Sequence, residues 1–325
     1  ILGYMLPTAT GEAIFQLDRF EITALAYSPD GNYLAIGGGP VVCAGTEAEL
    51  SKYAIQIIDT SSQVRIASLE AQACQVNSLS WSSDGHYLAS TSDQGNLIVW
   101  DTLTGSRVGS HGGLAIESEG SPLDGADWRS THSQVSVFGG TAIDTFDAPA
   151  VNFAFLNNTS ARVYGLDWNP DGDRLAVALR TGIEIWSKLD TSEASLGVSY
   201  RVDEANNPIL NSSGSMLAFS SDKDLYVLDA TSGVPVFQRQ SGQQLITDIA
   251  WYPHGSLLAT VSLDGSVLIW NIDSQQLVHQ SFYSQPLYTV DWSPTANTVT
   301  VGGISDSTIP ELPLFVDVGL LFSTS

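Results

Sequence analysis

Residues 163–179 read VYGLDWNPDGDRLAVAL, and similar stretches recur at 22–39 (ITALAYSPDGNYLAIGGG), 76–92 (VNSLSWSSDGHYLASTS) and 246–262 (ITDIAWYPHGSLLATVS). In each stretch apolar residues alternate with small or polar ones, a turn follows, and a second apolar run returns. Alternation with a period of two predicts a strand with two different faces. Proline presets φ, Asp bonds its own backbone and Gly accepts positive φ, so the turn is specified too. Each stretch therefore predicts an antiparallel pair of strands.

An aromatic or leucine residue, called here the anchor, closes the first strand of every copy. The anchors are Tyr27, Trp81, Trp128, Trp168, Leu210, Trp251 and Trp292, and subtraction gives gaps of 54, 47, 40, 42, 41 and 41 residues. A third strand, such as NLIVWDT at 96–102, and a fourth, outer strand follow in most copies. Four strands in a unit of about 40 residues are typical of a propeller blade. We therefore predict an all-β, seven-bladed β-propeller with four antiparallel strands per blade.

The two ends of the chain predict how the ring closes. The last unit runs out near Ser325 without a clear fourth strand, whereas GEAIFQLDRF at 11–20 precedes the first unit and reads as an unattached outer strand. An open strand edge is an aggregation liability. We predict that residues 13–20 join the last blade as a closing strand, after an N-terminal extension at 1–12. Residues 1–325 then form a single domain, because a closed ring of repeats buries one continuous interior.

The strand endings VWD (99–101) and IWN (269–271), with the repeated Asp-Gly turns, resemble those of WD-repeat proteins over nearly the whole chain. The resemblance implies a rigid docking platform for other proteins. WD-repeat blades often carry a Gly-His pair before the inner strand, hydrogen-bonded through Ser or Thr and Asp to the tryptophan. Here the single Gly-His pair, Gly85-His86, falls in a turn inside a blade. We therefore expect no complete tetrad, and the chain resembles a divergent, bacterial-type branch of the family.

The composition is strongly acidic. The chain has 35 acidic and 12 basic residues and a net charge of −23 at pH 7. Such a charge repels nucleic acid and anionic membrane surfaces, so we expect no nucleic-acid partner. No apolar run is long enough for a membrane span, which needs about 18 residues. The scarcity of lysine and the abundance of hydroxyl residues favour an extracytoplasmic or secreted protein, while a cytoplasmic location stays open.

Two cysteines bear on the compartment. Cys43 lies in an insertion between the second and third strands of the first blade, and Cys74 lies in the loop that enters the second blade. In a propeller both connections emerge on one face, so a Cys43–Cys74 disulfide is geometrically allowed. It would close a loop of about 30 residues and contribute about 3 kcal/mol. A disulfide implies an oxidising environment; two separate thiols in a reducing compartment are the alternative.

Four aspartates stand out in inner strands that otherwise read small and apolar: Asp127, Asp167, Asp248 and Asp291. A ring of carboxylates near an axis can bind a cation or shift pKa values. We favour pairing of each carboxylate with the backbone of a neighbouring blade or with an arginine. The histidines have no metal-ligand spacing, and we expect all five to be solvated turn residues: His86, His111, His132, His254 and His279. We predict no catalytic, cofactor-binding or metal-binding residues.

Two insertions, at 37–53 and 109–122, break the repeat on the face that carries the inter-blade loops. Insertions in repeat proteins cluster where binding occurs, although neutral loop drift explains them equally well. We predict that this face contacts another protein near Val41, Val42, Leu50, Tyr53, Leu114 and Ile116.

Three functions follow, in order of preference. The first is a non-enzymatic protein-interaction scaffold whose partner docks on the loop face. The second is a self-assembling structural subunit of an extracellular or envelope array or filament, in which case the chain forms homo-oligomers. The third is an enzyme or ligand sensor centred on the channel, which ranks last because the sequence shows no catalytic constellation.

Overall fold

A computed structural model describes eight stretches of the chain: 19–39, 55–69, 75–112, 123–149, 152–159, 161–189, 194–306 and 314–317. Within these stretches the regular secondary structure consists of strands. The described part contains no helix that is long and apolar enough to cross a membrane.

Each repeat places up to four strands side by side, from the axis outward. The innermost strands are β1 (Arg19–Tyr27), β5 (Val76–Trp81), β9 (Gly125–Arg129), β13 (Val163–Trp168), β17 (Ala205–Leu210), β21 (Ile246–Trp251) and β25 (Leu287–Trp292). The second strands are β2 (Tyr33–Gly39), β6 (Tyr87–Ser92), β10 (Gln134–Gly139), β14 (Arg174–Leu179), β18 (Met216–Ser221), β22 (Leu257–Ser262) and β26 (Thr298–Asp306). The third strands are β3 (Ile55–Asp59), β7 (Asn96–Asp101), β11 (Ala142–Asp147), β15 (Gly182–Ser187), β19 (Asp224–Asp229), β23 (Ser266–Asn271) and β27 (Leu314–Asp317). The outer strands are β4 (Val64–Leu69), β8 (Ser106–Gly112), β12 (Asn152–Asn158), β16 (Ser195–Arg201), β20 (Pro235–Gln240) and β24 (Gln276–Phe282).

The prediction of seven blades is wrong. The strands form six sheets: five with four strands and one with seven, in which β1–β4 of the first repeat and β25–β27 of the last are joined. The joint is a short antiparallel pairing of Arg19, Phe20 and Glu21 with Asp306, Ser305 and Ile304. The fold is therefore all-β and propeller-like with six blades, and in the described residues strand pairing does not link one blade to the next.

The predicted closing strand is corrected by the same pairing. Residues 13–18 lie outside the described residues. The described end of that segment, Arg19 and Phe20, belongs to β1 and pairs with β26 inside the seven-stranded sheet. It does not stand as the separate fourth strand of a seventh blade, because β1 continues without a break into the innermost strand of the first repeat.

The turns between the first two strands follow the predicted chemistry. Ser28 Oγ donates to Asp30 Oδ1 at 2.6 Å and accepts the backbone N–H of Tyr33 at 3.0 Å. Gly31 has φ of 71°, in the left-handed region. In the fourth repeat Asn169 takes the place of the serine and accepts the backbone N–H of Asp173 and of Arg174. The side chain that opens each turn thus fixes the return of the second strand.

The core lies between neighbouring sheets. Every residue of β22 is buried, whereas β20, an outer strand, has one buried residue. Central strands are covered on both faces, which explains their nearly continuous apolar or small residues. Trp292 is 2% exposed and belongs to a buried cluster that spans the sixth and seventh repeats. Apolar side-chain packing between the sheets therefore holds the blades together.

Candidate functional site

Six of the seven innermost strands carry a β-bulge at the same place. The register with the second strand shifts between Ile22 and Ala24 in β1, and equivalent shifts occur in β5, β13, β17, β21 and β25. A bulge leaves an extra residue unpaired and re-aims its side chain. The extra residues are Thr23, Asn77, Tyr164, Asn207 with Pro208, Thr247 and Tyr288.

These bulge residues line a cavity of about 290 Å³. All seven innermost strands contribute to its wall, so the cavity lies on the axis that they surround. In the third repeat, where β9 has no such shift, Asp124 just before the strand contributes instead. We call this space the axial cavity.

The axial cavity lies where the innermost strands begin. Glu21, near the start of β1, is paired with Gly39, the last residue of β2. The segments 40–54, 70–74 and 113–122 therefore connect strands at this same end of the ring. We call this end the loop face. The described strand ends that flank both insertions, on which the predicted partner contacts fall, lie at this face.

Five polar side chains around the axial cavity each use a hydrogen-bond donor to bind the next repeat. Thr23 Oγ1, for example, donates to the backbone carbonyl of Val76 in the next repeat at 2.6 Å. The same arrangement, with donation to a carbonyl of the following repeat, recurs for Asn77, Ser78, Asn207 and Thr247. These bonds tie the wall to the next repeat and leave the acceptor oxygens of these five side chains available to a ligand.

Asp248 is one of the residues that line the cavity, and its carboxyl group is buried. Its Oδ1 accepts the backbone N–H of Ile249 at 2.8 Å, and its Oδ2 accepts that of Val290 at 2.9 Å. The hydroxyl of Thr289 also donates to it, and burial raises the pKa of Asp248 to about 6. No described residue forms an ion pair with this carboxylate. Near neutral pH Asp248 is therefore mostly a negative charge balanced only by neutral donors.

Consecutive repeats are tied together at the anchors by one of two hydrogen bonds. Where Ala or Ile precedes an anchor, the indole N–H of the next anchor donates to its carbonyl: Trp81 to Ala26 at 2.9 Å, Trp251 to Ile209 at 3.0 Å and Trp292 to Ala250 at 2.9 Å. Where Ser or Asp precedes it, the side-chain oxygen accepts the next anchor's backbone N–H: Trp128 to Ser80 at 3.0 Å, Trp168 to Asp127 at 2.8 Å, Leu210 to Asp167 at 2.7 Å and Tyr27 to Asp291 at 2.8 Å. All seven junctions between repeats are bonded in one of these ways. The prediction that the aspartates pair with the backbone of a neighbouring repeat is confirmed.

Burial perturbs the titration of these carboxylates. It raises the pKa of Asp127 to about 6 and that of Asp291 to about 7. Burial, reinforced by the neighbouring charge of Asp127, raises the pKa of Asp167 well above its ordinary value. The backbone donors act in the opposite direction because they stabilise the ionised form. Asp127, Asp248 and Asp291 thus titrate between about pH 6 and 7, unlike ordinary surface carboxylates.

None of the sequence-predicted site residues can be placed. Cys43, Cys74 and the predicted partner contacts Val41, Val42, Leu50, Tyr53, Leu114 and Ile116 all lie outside the described residues. In the described residues, no group of three or more His, Cys, Asp or Glu side chains is arranged to hold a metal ion.

The prediction for the histidines is wrong at two positions. His111 lies in the outer strand β8, where its ring packs 4.6 Å from that of Phe146. His279 lies in the outer strand β24, and burial lowers its pKa. His86, His132 and His254 occupy turns as expected.

An apolar patch lies on the loop face of the sixth repeat. Leu245, Leu263 and Phe282 are 38%, 36% and 68% exposed. Leu263 N–H donates to the carbonyl of Leu245, and Phe282 pairs with Ser266 beside the turn that carries Leu263. The sixth repeat therefore presents three apolar side chains close together at this end of the ring.

Comparison with known proteins agrees with this architecture. The family model "WD domain, G-beta repeat" matches residues 63–101, and the model of the anaphase-promoting complex subunit 4 WD40 domain matches residues 209–295. The β-propeller domain of Cps50 (Swd1) from Myceliophteria thermophila superposes with a TM-score of 0.72 at 15% identity, covering 88% of this chain and 97% of that domain. The chain is a WD-repeat propeller.

Curated WD-repeat relatives are distant and longer. Actin-interacting protein 1 of Caenorhabditis elegans is 25% identical over 257 residues, which is 72% of this chain and 38% of that protein. The WD repeat-containing protein slp1 of Schizosaccharomyces pombe is 22% identical over 263 residues, 80% of this chain and 42% of that protein. This WD-repeat chain thus spans less than half the length of either relative. Its assignment to a bacterial-type branch stays a prediction.

The tetrad of this WD-repeat propeller is partial. In the sixth repeat the buried Gln243 stands in the loop before the inner strand, where other WD repeats carry histidine. Thr260 Oγ1 donates to Gln243 Oε1 at 2.8 Å, and Gln243 Nε2 donates to Ser266 Oγ at 2.9 Å. Trp270 Nε1 has no partner among the described residues. In the second repeat Trp100 Nε1 does donate to Ser90 Oγ, at 2.9 Å.

The bulge residues of this WD-repeat propeller were missed by the sequence analysis, which treated the channel wall as small and apolar. A signal was present. A polar residue stands four positions before every anchor. Six of these line the axial cavity, namely Thr23, Asn77, Asp124, Tyr164, Thr247 and Tyr288, and the seventh, Asn206, directly precedes the bulge residue Asn207. One such residue is expected in an alternating strand, but its recurrence in seven repeats indicates a polar surface shared by all the innermost strands.

Proposed function

We propose that this chain is a non-enzymatic protein-interaction scaffold whose partner docks on the loop face. The observation that carries the proposal is the bulge ring: six strands depart from regular pairing at one position, and each departure turns a side chain toward the axial cavity. Bulges cost local pairing and are typically found where a side chain must be re-aimed. WD-repeat relatives support the same class, since the name of actin-interacting protein 1 of Caenorhabditis elegans describes an interaction function for that protein.

The apolar patch supports docking of a protein rather than of a small molecule alone. Phe282 is the most exposed of its three side chains at 68%. Aromatic side chains are enriched in protein interfaces, and an exposed one with apolar neighbours favours a protein partner. The insertions at 37–53 and 109–122, with their predicted contacts Val41 to Tyr53 and Leu114 with Ile116, connect strands at the same face and would enlarge the contact.

The test is capture of binding proteins from an extract of the source organism on the immobilised chain, read by mass spectrometry. The test variant is Leu263→Ser with Phe282→Ser. The matched control is Leu103→Ser, because Leu103 is 76% exposed in a turn at the opposite end of the ring. We expect a partner that the wild type and the control retain and the test variant loses. Equal retention by all three, or no enriched protein at all, would contradict docking on this face.

Self-assembly into an extracellular or envelope array is the second candidate, favoured by the outer strand β4. Val64 and Ile66 of β4 are 46% and 54% exposed on an outer strand. Such edges can pair with another copy of the chain. Light scattering over a wide concentration range tests this directly: a constant 34.6 kDa particle contradicts self-assembly, and growth with concentration supports it.

An extracytoplasmic or secreted location remains part of the proposal. The acidic, lysine-poor composition supports it, and the redox state of Cys43 and Cys74 provides its test.

A further inference from the structure

If the loop face docks a partner, as proposed above, the axial cavity gives that partner a chemical requirement. We propose that the axial cavity binds the ammonium or guanidinium group of one lysine or arginine side chain of the partner protein. This step rests on the proposed docking face and specifies which group of the partner enters it.

The hydrogen-bond inventory of the cavity wall favours a ligand that only donates. Five polar side chains of the wall give a donor to a backbone carbonyl of the next repeat, as Thr247 does to Leu287 at 2.8 Å. The amide oxygens of Asn77 and Asn207 accept from no described residue, and hydroxyl oxygens keep lone pairs. Ammonium and guanidinium groups carry donors and no acceptor, so they complement this wall.

The charge of the cavity wall also favours a cationic ligand. Arg162 Nη2 lies 3.1 Å from Asp124 Oδ2, which leaves that pair neutral at the rim. Asp248 has no cationic partner among the described residues. An anion or an acceptor-rich ligand would meet both the carboxylate and the unused oxygens, so it is disfavoured. A cation would supply the missing countercharge.

The size of the cavity limits the ligand to a single side chain. Pockets that take drug-sized ligands usually measure about 300–1,000 Å³. The axial cavity, at about 290 Å³, lies at the bottom of that range. Tyr164 and Tyr288 form part of its wall and provide aromatic surface for the methylene stem or the cationic head.

The experiment is a titration of the isotope-labelled full chain followed by amide NMR shifts. The probes are the N-acetyl methylamides of arginine, lysine and the neutral isostere citrulline, and Gly/Ser decapeptides with arginine or citrulline at the centre. We expect the arginine probes to bind at least about tenfold more tightly than the citrulline probes. The shifts should concentrate at the starts of the innermost strands, around Thr247 and Thr289.

Two variants test whether the carboxylate of Asp248 contributes to arginine binding. Asp248→Asn should weaken arginine binding by at least about tenfold, because it removes the one carboxylate among the described lining residues that has no cationic partner. Asp203→Asn, which removes an exposed charge from a connection at the same face, should change binding by less than about twofold. If Asp248→Asn does not fold, two wild-type measurements still test the proposal. They are the ratio of arginine to citrulline affinity and the location of the amide shifts.

Each alternative outcome overturns the proposal. Equal binding of citrulline, no effect of Asp248→Asn in a folded variant, shifts away from the cavity, or no binding of any cation would each contradict a cationic group in the cavity. An arginine decapeptide that binds less tightly than the single-residue probe would contradict a protein source and indicate a free small cation. If cations fail but the capture experiment still finds a partner lost on mutation of Phe282, the docking face stands without this specificity.

Discussion

The backbone N–H of Tyr27 donates to Asp291 Oδ2 at 2.8 Å, and this bond joins residues 264 positions apart. The other carboxylate oxygen accepts the backbone N–H of Trp292 at 2.8 Å. One side chain thus holds the first and last anchors in register. The pairing of β1 with β26 joins the same two repeats at a second point. Loss of the carboxylate should therefore loosen the contact between the two ends of the chain.

Asp291→Asn should destabilise the fold by about 1–3 kcal/mol at pH 5, below the folded pKa of about 7, because an amide offers one acceptor and turns an NH₂ group toward a backbone N–H. At pH 8 relief of the buried charge offsets this loss. The measurement is urea unfolding followed by tryptophan fluorescence. Asp203→Asn is the control, because it makes the same substitution at an exposed site and should cost less than about 0.5 kcal/mol. Equal midpoints for the two variants would contradict the role assigned to Asp291.

The inter-repeat carboxylates predict an unusual dependence of stability on pH. The folded pKa values of Asp127 and Asp248, about 6, and of Asp291, about 7, lie above the ordinary value of 3.8. Their contribution to stability is therefore complete below about pH 4 and is lost as the pH rises through the folded values. Turn carboxylates act oppositely: hydrogen bonding from Ser28 lowers the pKa of Asp30, so its contribution is lost in stronger acid. We expect maximum stability near pH 4–5, by this linkage.

Urea unfolding at intervals between pH 4 and 8 checks this expectation. The global charge of −23 also shrinks on acidification and acts in the same direction, so the wild-type curve alone does not identify the source. The difference between the curves of two variants identifies the source of the pH dependence. Asp291→Asn should reduce the fall of stability between pH 5 and 8, whereas Asp203→Asn should leave it nearly unchanged. Parallel curves for both variants would place the effect in the global charge.

The local parts of this fold were predictable because short stretches specify them. Ser28, Asp30 and Gly31 build a turn from three adjacent positions, and the same chemistry repeats down the chain. The partnership of Asp291 with a neighbouring backbone also followed, because a carboxylate in a buried strand needs donors. These features require no knowledge of distant residues.

The blade count and the cavity wall were not predictable in the same way. The merging of the first and last repeats depends on Glu21 meeting Ile304, a register between distant segments that no local pattern encodes. The sequence did not predict the bulges, because one extra residue, such as Thr23 after Ile22, fits ordinary strand alternation until the register of the partner strand is known. Polarity at a fixed distance before each anchor was the available signal, and it becomes informative only when all repeats are aligned.

The indole bonds predict where the ring is sensitive to loss of a single donor. Trp251→Phe removes the N–H that reaches Ile209 and should cost about 1–3 kcal/mol through the lost bond and the smaller ring. Trp186→Phe is the control, because its indole donates to Glu184 within the same strand at 2.9 Å and is partly exposed. Hydrogen exchange should accelerate in β17 and β21 for Trp251→Phe. Uniform acceleration in every repeat, or none, would contradict a localised junction.

The disulfide prediction gains support from the strand ends beside it, although Cys43 and Cys74 themselves are not described. A Cβ at Gly39 would lie 2.8 Å from Cα of Gln75, so these two chain positions touch. Cys74 directly precedes Gln75, and Cys43 follows Gly39 by four residues, which span roughly 14 Å at most. The described positions nearest to the two cysteines thus lie next to each other at the loop face.

Intact mass after alkylation without reductant tests the bond. We expect no adduct on the wild type before reduction and two adducts after it, while Cys43→Ser should take one adduct under both conditions. Reduction should lower the free energy of unfolding of the wild type by about 3 kcal/mol and leave that of Cys43→Ser unchanged. Two adducts on the folded, unreduced wild type would exclude the bond and remove the main support for an oxidising compartment, because composition alone is a weaker indication.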